Sequence, residues 1–597
     1  NVFRVRAYKE GARVVEGHEQ SLAGLVDEPG ALEALPGIGK GIAQNIRELT
    51  ASGHTAIMDE LLGKYPEEVV GFTELQGLGP KRVRTLFDTL GITTRAALAE
   101  AAEAGRLRDL PGFGEKVEQN VIKALATAAA YSGRMLLAEV WPLAHALADR
   151  IRAVRGVTQV ELAGSFRRRR DTVGDLDLLA CGGSAEAVMQ ALVTHGEVLE
   201  VLGQGETKTS VRLRNGLQVD LRHVPEGAFG AALLYFTGSK EHNIELRRIA
   251  IEQGLSLNEY GLTRGETVVA ARTEHDVYAA LGLAWVPPEL REARGEIAQA
   301  REGTLPVLLE LDDLRGDLHM HTTRSDGRDT LDDMITAARE RGLDYLAITE
   351  HSKALAMAGG FDAARVRKSV HEIAAARERH PGFPILHGLE VDILADGELD
   401  LDDDTLALLD WVIVSIHSRF DQTPEVATAR ALRAVSNPWV HAFGHPTGRL
   451  IGSREPVAFD VERVTEAAAA HGVAMEINAA PDRLDLTDVH ARIARAKGCR
   501  FVIDTDAHSI AQLENLRWGV FQARRAGLTK ADVLNAQPWS RFEKGLARPR
   551  KGTTVAMPEP EAAPAKATTK RATRKPAAKK AAAPKKSPAK RATKKKA

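Results

Sequence analysis

The spacing of apolar residues divides the chain into three parts. As far as Tyr131, apolar residues recur at helical spacing, and beyond it they alternate with polar residues as in half-buried strands. From about Arg315 onward, apolar runs of strand length alternate with helical patterns. We therefore predict a multidomain chain with a helical first part, an α+β middle part and an α/β last part. Its 597 residues exceed what one hydrophobic core accommodates, which supports this division.

The helical part contains three copies of the unit Leu-x-Gly-apolar-Gly. The copies are LEALPGIGKGIAQNIREL from Leu32, FTELQGLGPKRVRTLFDTL from Phe72 and LRDLPGFGEKVEQNVIKAL from Leu107. Glycine permits a tight turn and leaves N–H groups free at the start of the next helix, where they bind phosphate. One copy would suit an ordinary helix-to-helix corner, but three resemble helix-hairpin-helix elements, which grip DNA without reading its sequence. The predicted DNA-binding glycines are Gly37, Gly39, Gly77, Gly79, Gly112 and Gly114.

Two acidic residues stand two apart on a predicted strand of the middle part. In VTQVELAGSFRRRRDTVGDLDLLACGG, a strand precedes a Gly-Ser turn and a helical or loop segment, and a second strand carries Asp175 and Asp177. Residues i and i+2 of a strand share one face, and Asp220 lies in another strand-like run, LQVDLRHV. Converging carboxylates repel one another unless cations lie between them, so the trio predicts divalent metal. An Asp-x-Asp pair alone would also suit an exposed strand face.

These acids belong to an ordered series of motifs. The series is Gly164-Ser165-Phe166-Arg167-Arg168, Gly174-Asp175-Leu176-Asp177, Val219-Asp220, Tyr235-Phe236-Thr237-Gly238-Ser239, Asn243, Arg247 and Asn258-Glu259-Tyr260. It resembles the series in DNA polymerase beta and its family X relatives, and the resemblance extends from Asn1 to about Pro288. It implies a nucleotidyltransferase in which Asp175, Asp177 and Asp220 are catalytic and hold two Mg²⁺ or Mn²⁺ ions.

The same resemblance implies a nucleotide site. The implied contacts are Ser165, Arg168 and Gly174 for the triphosphate, Tyr235, Phe236 and Gly238 for the sugar, and Asn243 and Arg247 for the nascent base pair. Tyr235 and Phe236 would alternatively be core aromatics. Val173 departs from the family pattern, because it replaces a hydroxyl residue beside the triphosphate site, and this leaves the nucleotide affinity open.

A second departure concerns lyase activity. Relatives that remove deoxyribose phosphate use a lysine where this chain has Asn45, and Lys40 is nearby but out of register. Asparagine cannot form a Schiff base, so we predict weak or absent lyase activity. Borohydride trapping that gave a strong adduct would contradict this prediction.

Potential metal ligands gather at the ends of apolar runs in the last part. GDLHMHTTRSDG brings together His319, His321 and Asp326. The later candidates are His351, Glu390, His417, His445, Asp506 and His508. Strand, ligand and helix in repeated order is typical of a β/α barrel, whose functional groups lie at the C-terminal ends of its strands. A lone histidine there is usually structural, whereas nine such residues predict a centre of two or three ions that hydrolyses phosphate esters.

The last part resembles a polymerase-and-histidinol-phosphatase (PHP) domain from Arg315 to about Phe542, with all nine expected ligand positions filled. The resemblance implies a 3′ to 5′ exonuclease and 3′-end phosphoesterase, and some such enzymes cut at abasic sites. Mn²⁺ is the implied ion, and Zn²⁺ or Fe²⁺ would suit the same mixed ligands. We expect Glu390 to bridge ions, and Asp317 and Glu350 to orient imidazoles.

The charge of the chain is split between an acidic body and a basic tail. After Glu561 the tail holds fourteen lysines and arginines and no acid, so the net charge of −1 leaves −15 on residues 1–565. Its Ala/Pro/Lys composition offers little apolar surface, so we predict a disordered tail that binds polyanions such as DNA. A solubilising tail or one that binds RNA is the alternative.

The predicted cellular compartment depends on features that the sequence lacks. There is no apolar run of membrane-spanning length and no secretory signal. Cys181 and Cys499 lie in apolar segments far apart, which indicates core thiols in a reducing compartment. We predict a cytoplasmic, nucleoid-associated monomer that does not bind membranes. Because Asn1 opens in the middle of a plausible element, we expect residues before it.

The predicted domains follow these patterns and resemblances. They are a helix-hairpin-helix region (1–130), a nucleotidyltransferase palm with a mixed sheet (131–225), a nucleotide-selecting subdomain (226–290), a linker (291–314), a distorted β/α barrel of PHP type (315–545) and a disordered tail (546–597).

The predicted function is a bacterial DNA repair polymerase of the base excision type, which fills short gaps with dNTPs and trims or unblocks 3′ ends. Gapped or nicked DNA would be its partner. The alternatives are a small-molecule phosphatase of the histidinol-phosphatase type with a degenerate N-terminal half, and a non-catalytic DNA-end scaffold. Three hairpins and an intact carboxylate trio argue against the first alternative, and the number of metal ligands argues against the second.

Overall fold

The structure is a computed structural model that describes residues 7, 8, 11, 14, 15, 22–26, 28, 30–35, 37–75, 78–130 and 133–547. Gly77 and residues 548–597, which include the predicted basic tail, lie outside the described residues. Among the helices of the described residues, none is both long enough and apolar enough to cross a membrane.

The first part is helical, as predicted. Its helices in the described residues are α1 (Lys40–Ser52), α2 (Ala56–Lys64), α3 (Glu67–Gly71), α4 (Pro80–Leu90), α5 (Arg95–Glu103) and α6 (Glu115–Ala130). In each repeat, a helix begins one residue after the second glycine, which is Gly39, Gly79 or Gly114. Gly37 and Gly112 adopt φ values of 89° and 81°, a left-handed backbone that favours glycine. The predicted turn-helix repeat is therefore confirmed.

The middle part opens with a five-stranded mixed sheet. Its elements are β1 (Met135–Leu136), α7 (Leu137–Arg152), β2 (Val157–Leu162), α8 (Gly164–Arg167), β3 (Thr172–Val173), β4 (Asp175–Gly182), α9 (Ala185–Val193), β5 (Val198–Gln204), β6 (Lys208–Leu213) and β7 (Gln218–His223). The strand order is β2-β4-β7-β6-β5, in which only β4 and β7 are parallel neighbours. Leu176 and Leu178 are fully buried in a core with α7 and α9, which turns Asp175 and Asp177 to the opposite face.

A smaller helical unit follows the mixed sheet. Its elements are α10 (Phe229–Thr237), α11 (Lys240–Glu252), β8 (Ser256–Asn258), β9 (Gly261–Arg264), β10 (Thr267–Ala270), α12 (Glu274–Ala280) and α13 (Glu296–Glu302). The three strands form an antiparallel sheet in the order β10-β9-β8. Helix α13 lies within residues 291–314, predicted as a linker, and its Ile297 and Ala300 pack in one core with Tyr278 of α12.

The last part is the predicted β/α barrel. Its elements are β11 (Gly316–Asp317), α14 (Leu331–Glu340), β12 (Tyr345–His351), α15 (Ala363–Arg379), β13 (Ile385–Asp392), α16 (Asp403–Leu406), β14 (Trp411–Ser415), α17 (Pro424–Val435), β15 (Ala442–Phe443), α18 (Val461–His471), β16 (Ala474–Asn478), α19 (Asp488–Ala496), β17 (Phe501–Asp504), α20 (Leu516–Arg525) and α21 (Trp539–Phe542). The seven parallel strands lie side by side in chain order. A bridge between Met320 and Ala507 joins the two edges and nearly closes the barrel.

Local sequence explains why the barrel elements begin where they do. All seven strands are buried along their length, as expected for a parallel sheet covered by helices. Six barrel helices begin at a residue whose side chain accepts a hydrogen bond from a backbone N–H of the first turn. These caps are Thr330, Asp362, Asp402, Thr423, Asp460 and Thr487.

Short 3-10 helices connect the longer elements. In the described residues they are Leu22–Leu25, Phe72–Glu74, Glu226–Ala228, Pro288–Leu290, Leu311–Asp313, Ala356–Ala358, Ile510–Asn515, Leu534–Ala536 and Glu543–Gly545. Both cysteines are buried free thiols, as predicted.

Candidate functional site

Three carboxylates meet on the two parallel neighbours of the mixed sheet. Asp175 and Asp177 lie near the start of β4, and Asp177 stands opposite Asp220 of β7 in the strand register. The Nζ of Lys208 lies 2.8 Å from Oδ2 of Asp220, and Nε2 of Gln218 donates to Oδ1 of Asp220 at 3.1 Å. The structure thus brings together the three acids that the sequence singled out.

The electrostatics of this trio favour a bound cation. Burial, followed by repulsion from Asp175 and Asp220, raises the pKa of Asp177 to about 7. Burial opposes ionisation of Asp220 as well, but hydrogen bonds from Lys208 and its neighbours lower the pKa of Asp220. A divalent ion would relieve the repulsion at Asp177, so the residues fit such an ion.

A pocket of about 600 Å³ opens beside Asp175 and Asp177. Seven of the eight predicted nucleotide contacts line it, and only Gly174 does not. They are Ser165, Arg168, Tyr235, Phe236, Gly238, Asn243 and Arg247. Arg134, Arg170 and Lys240, which the sequence did not single out, also line the pocket and add positive charge for a polyphosphate.

The predicted sugar and base contacts form one supported surface of the pocket. The Nδ2 of Asn243 donates to the carbonyl of Tyr235 at 2.7 Å, and the Arg247 guanidinium lies 5.2 Å from the centre of the Tyr235 ring. Phe236 stacks edge-on against Tyr235 and lies under the guanidinium of Arg222. Both aromatic rings are only partly buried and line the pocket, which distinguishes them from ordinary core residues.

Arg168 is held by neighbouring protein groups at the pocket wall. Its guanidinium donates to the carbonyl of Thr237, and its Nε lies 3.1 Å from Oε1 of Glu292. Burial lowers the pKa of Arg168, and Glu292 opposes that effect. The orientation of this predicted triphosphate contact therefore depends on Glu292.

The nine predicted ligands of the barrel meet at the C-terminal ends of its strands. They form four overlapping groups, and the potential ligand atoms of each group lie within 4.8 Å of one another. The groups are His321, Asp326, His351 and His508; His319, Glu390 and His445; His319, His321 and Asp506; and His351, Glu390 and His417. The overlap between groups suits ions that share bridging ligands.

Glu390 lies at the centre of these groups. Its Oε1 lies 2.8 Å from Nε2 of His445 and 3.2 Å from Nε2 of His417. Its Oε2 lies 2.6 Å from Nδ1 of His351 and 3.5 Å from Nε2 of His319. Because its two oxygens face different histidines, the carboxylate has the geometry that a bridging ligand requires.

Buried ring nitrogens at the centre lack hydrogen-bond partners in the described part of the chain. Nε2 of His319 and both ring nitrogens of His321 are among them. A buried polar atom without a partner costs about 1–3 kcal/mol, and a metal ion would remove that cost. The donor set of imidazoles and carboxylates therefore fits divalent ions.

Two carboxylates that the sequence did not single out orient the ligating imidazoles. Oε1 of Glu476 on β16 lies 2.6 Å from Nδ1 of His319, and Oδ1 of Asp392 on β13 lies 3.1 Å from Nδ1 of His417. Each contact leaves Nε2 of the same ring for a metal ion. Each acid interrupts an apolar run near the end of a strand, as Glu390 does, and this signal could have identified both.

Asp317 and Glu350 lie beside the centre, but in the described part of the chain their hydrogen bonds are not with imidazole rings. Asp317 accepts hydrogen bonds from the Thr505 hydroxyl and, at 3.5 Å, from the backbone N–H of His319, and Glu350 accepts hydrogen bonds from the hydroxyls of Thr322 and Ser325. Asp317 therefore supports the backbone of a ligand residue rather than its ring, and Glu350 supports a neighbouring loop.

The histidines of the centre differ strongly in pKa. Burial, together with the neighbouring His351 and His508, lowers the pKa of His321 to about 3. Burial also acts on His351, but Glu390 and Asp326 raise the pKa of that ring to about 10. Neutral His321 is ready to bind an ion, whereas His351 must release a proton to do so.

Arg483 brings positive charge to the edge of the metal centre. Its Nε lies 3.8 Å from Oδ2 of Asp506. Burial lowers the pKa of His445, and the positive charge of Arg483 lowers it further. The residue follows β16 in a loop, in the run PDRLDL, and no spacing rule pointed to it. A guanidinium at this position suits a phosphate oxygen.

The glycine turns of the helical part leave room for a phosphate. Among the described residues, no atom lies within 4 Å of a Cβ added to Gly39, Gly79, Gly112 or Gly114. Gly39 and Gly79 also precede helices whose first turn receives no side-chain cap. The N–H groups there are available to a DNA backbone.

The position of Asn45 bears on lyase activity. Nδ2 of Asn45 in α1 donates to the hydroxyl of Tyr8 at 3.0 Å. Lys40 is the first residue of the same helix, more than one turn away. These positions do not test lyase activity, so weak or absent activity stays a prediction.

Comparison with protein families identifies four segments. A helix-hairpin-helix domain matches residues 1–55, and a SAM-like helix-hairpin-helix tandem matches residues 71–127. A DNA polymerase beta thumb matches residues 232–292, and a PHP domain matches residues 317–480.

Individual relatives cover the chain to different extents. The DNA polymerase/3′-5′ exonuclease PolX of Bacillus subtilis (strain 168) is 37% identical over 552 residues, which are 92% of this chain and 96% of that protein. A probable phosphatase of Enterobacter sp. (strain 638) is 32% identical over 190 residues, which are 31% of this chain and 70% of that protein.

A solved structure, a ternary complex of Leishmania infantum polymerase beta, is 22% identical and covers 38% of this chain and 98% of that one, with a TM-score of 0.25. The similarity to the Bacillus protein spans both metal centres and the region between them. The chain therefore belongs to the family X DNA polymerases that carry a C-terminal PHP domain.

Proposed function

We propose that this chain is a DNA repair polymerase that adds dNTPs to primer 3′ ends at short gaps and removes or unblocks 3′ ends by phosphoester hydrolysis. The observation that carries the proposal is the presence of two separate ligand sets, the carboxylate trio beside its pocket and the nine-residue centre of the barrel. The name of the Bacillus relative combines the same two activities, polymerase and 3′-5′ exonuclease.

At the polymerase centre, Asp175, Asp177 and Asp220 hold two Mg²⁺ or Mn²⁺ ions. When bound, the ions activate the primer 3′-hydroxyl and neutralise the triphosphate. The pocket wall supplies most of the remaining contacts with the nucleotide. Ser165 and Arg168 bind the triphosphate, Tyr235, Phe236 and Gly238 position the sugar, and Asn243 and Arg247 face the base pair. Gly174, next to Asp175 but not part of the pocket wall, is a further proposed triphosphate contact.

At the barrel centre, the nine ligands hold two or three divalent ions, for which Mn²⁺ is the first choice and Zn²⁺ or Fe²⁺ are alternatives. When bound, the ions supply a nucleophilic water and neutralise the phosphate. Glu476 and Asp392 keep His319 and His417 in the tautomer that leaves Nε2 available. Arg483, which lies beside the ligand Asp506, binds an oxygen of the scissile phosphodiester.

Substrate binding is assigned to the glycine turns and the basic tail. Gly39, Gly79, Gly112 and Gly114, which have open surroundings, and Gly37, which has a left-handed backbone, present backbone N–H groups to phosphates without sequence preference. The matching turn at Gly77 lies outside the described residues. The partners are gapped or nicked DNA and dNTPs, and the chain acts as a monomer.

One substrate tests both assignments. A gapped duplex with a 5′-labelled primer is incubated with Mn²⁺, with and without dNTPs. The proteins are the wild type, Asp175→Ala/Asp177→Ala and His319→Ala/His321→Ala. The first variant should lose extension and keep 3′ degradation, and the second should do the reverse. If both variants behave like the wild type, the two sites are wrongly assigned.

The same proteins separate the remaining activities. A duplex with an abasic site reports whether the barrel centre also cuts there, and histidinol phosphate reports hydrolysis of a small molecule. The Enterobacter relative, described as a probable phosphatase, covers only about a third of this chain. We therefore expect DNA 3′ ends to be degraded far faster than histidinol phosphate, and the opposite preference would favour the phosphatase alternative.

A further inference from the structure

The loop that follows α8 connects the nucleotide pocket to the barrel. We call residues 168–171 the arginine loop, because Arg168 at its start lines the pocket. Two arginines of the barrel part hold this loop. Nη1 of Arg525 in α20 donates to the carbonyl of Arg168 at 2.8 Å, and Nη1 of Arg449 lies 3.3 Å from Oδ2 of Asp171.

Arg525 is nearly buried and makes three contacts at once. Besides the carbonyl of Arg168, it contacts Oε1 of Glu292 at 3.0 Å and Oδ2 of Asp488 at 2.7 Å. Its side chain is 3% exposed. The planar guanidinium reaches three acceptors spread around its edge, and the compact ammonium of a lysine does not reproduce that geometry.

Glu292 links this buried arginine to the pocket. The same Oε1 that contacts Arg525 lies 3.1 Å from Nε of Arg168. Burial opposes ionisation of Glu292, but Arg525 and Arg168 lower its pKa, so the carboxylate remains charged. Without Arg525, this buried charge would depend on Arg168 and the more distant Arg170 alone.

Removal of Arg525 would therefore disturb Arg168 in two ways. The carbonyl of Arg168 would lose its donor, and Glu292 would draw the Arg168 side chain more strongly. Both effects act on the position of a guanidinium that must meet a triphosphate in the pocket. A displacement of about 1 Å is enough to reduce activity at such a contact.

We propose that Arg525 is a positioning residue for nucleotide binding at the polymerase centre and acts through Glu292 and Arg168. This inference rests on the proposed function of that centre. The barrel part then has a second role, because it holds in place a residue of a centre to which it contributes no ligand.

The test is the KM for dNTP of Arg525→Ala in primer extension on gapped DNA. We expect KM to rise about tenfold, the size expected when a charge-assisted hydrogen bond is lost, with a smaller change in kcat. Degradation of single-stranded DNA from the 3′ end should be unchanged, since the contacts of Arg525 are with Arg168, Glu292 and Asp488, which are not metal ligands. If Arg525→Ala does not fold, Arg525→Lys should fold and give a smaller rise.

Arg495→Ala is the matched control. Arg495 is an arginine of the neighbouring helix α19 and pairs with Asp532. Its replacement should leave KM for dNTP unchanged.

A double-mutant cycle separates positioning from a general structural effect. If Arg525 acts through Arg168, the Arg525→Ala change should add nothing to KM in an Arg168→Ala background. An equal rise in both backgrounds, or an unchanged KM in the single variants, would overturn the inference. A wild type that degrades 3′ ends but cannot extend primers would instead overturn the proposed function of the polymerase centre.

Discussion

At the scale of single residues, Glu476 determines which nitrogen of His319 faces the metal centre. Its Oε1 contacts Nδ1 of His319, and its other oxygen accepts the backbone N–H of His445. Glu476→Gln keeps the size of the side chain and removes the charge that makes the imidazole a stronger ligand. We expect Mn²⁺ affinity to fall about 10-fold to 100-fold, measured as the Mn²⁺ dependence of 3′ degradation.

The control for this change is Glu462→Gln. Glu462 is an exposed residue of α18 that pairs with Lys497, so the Mn²⁺ dependence should equal that of the wild type. An equal loss in both variants would show that Glu476 has no specific role at the centre.

The raised pKa of Asp177 predicts how binding of a metal ion at the polymerase centre depends on pH. Its raised pKa, about 7, means that the folded metal-free protein keeps a proton there that an unfolded chain loses near pH 4. This group therefore reduces the stability of the metal-free fold as the pH rises from about 4 to 7. Below pH 7 a bound ion must displace the proton.

We expect binding of Mg²⁺ alone, without dNTP, to release about one proton at pH 6 and much less at pH 8. Calorimetry in two buffers of different ionisation enthalpy measures this release. A His319→Ala/His321→Ala background removes the barrel centre from the signal. Asp177→Asn should abolish the release, and a release that is equal at both pH values would contradict the assignment.

Residue types at strand ends could be predicted from the sequence, but their supporting partners could not. His319 and Glu390 stand out because a histidine or an acid interrupts an apolar run just where a strand ends. Arg483 carries no such signal, and Glu476, which also interrupts an apolar run near a strand end, was not singled out. Their roles depend on the distance across the barrel mouth, which the sequence does not contain.

At the scale of elements, we predict that the turn before α4 contacts a DNA phosphate. Gly79 caps this helix without a side chain, and its surroundings among the described residues leave room for one. Gly79→Asp should therefore fold, since aspartate is a good helix cap. Its negative charge occupies the place of a DNA phosphate, so we expect affinity for gapped DNA to fall about tenfold by fluorescence anisotropy.

Gly79→Ser is the matched variant, because serine caps the helix equally well without a charge. It should change the affinity much less than Gly79→Asp. Equal affinity of both variants and the wild type would show that DNA does not approach this turn.

Elements with a strong periodic pattern could be predicted, and elements that depend on packing could not. The strand-turn-strand that carries Asp175 and the alternation of the barrel follow directly from the spacing of apolar residues. Residues 291–314, predicted as a linker, have a charged, helix-like pattern, so helix α13 was indicated but its packing was not. Its burial becomes visible once Ile297 and Ala300 are seen to share a core with Tyr278.

At the scale of the whole molecule, contacts between the parts lie beyond sequence reasoning. Arg525 and Arg168 are 357 positions apart, and Arg449 and Asp171 are 278 apart. Trp141 of α7 packs against Trp518 and Phe521 of α20, so the two parts share an aromatic contact. Family patterns assign residues to each centre, and only the three-dimensional packing shows that one part supports the other.

The charge distribution of the whole chain predicts that the affinity for DNA depends strongly on the basic tail. Residues 1–565 carry a net charge of −15 and should be repelled by DNA at long range, whereas residues 566–597 carry fourteen positive charges. Deletion of residues 566–597 should weaken binding to gapped DNA and flatten its salt dependence, because each lost phosphate contact reduces the slope of log K against log salt by about 0.9. The control is a chain whose tail has the same length with every lysine and arginine replaced by serine, which should behave like the deletion. If that neutral tail binds as the wild type does, the charge of the tail serves another partner.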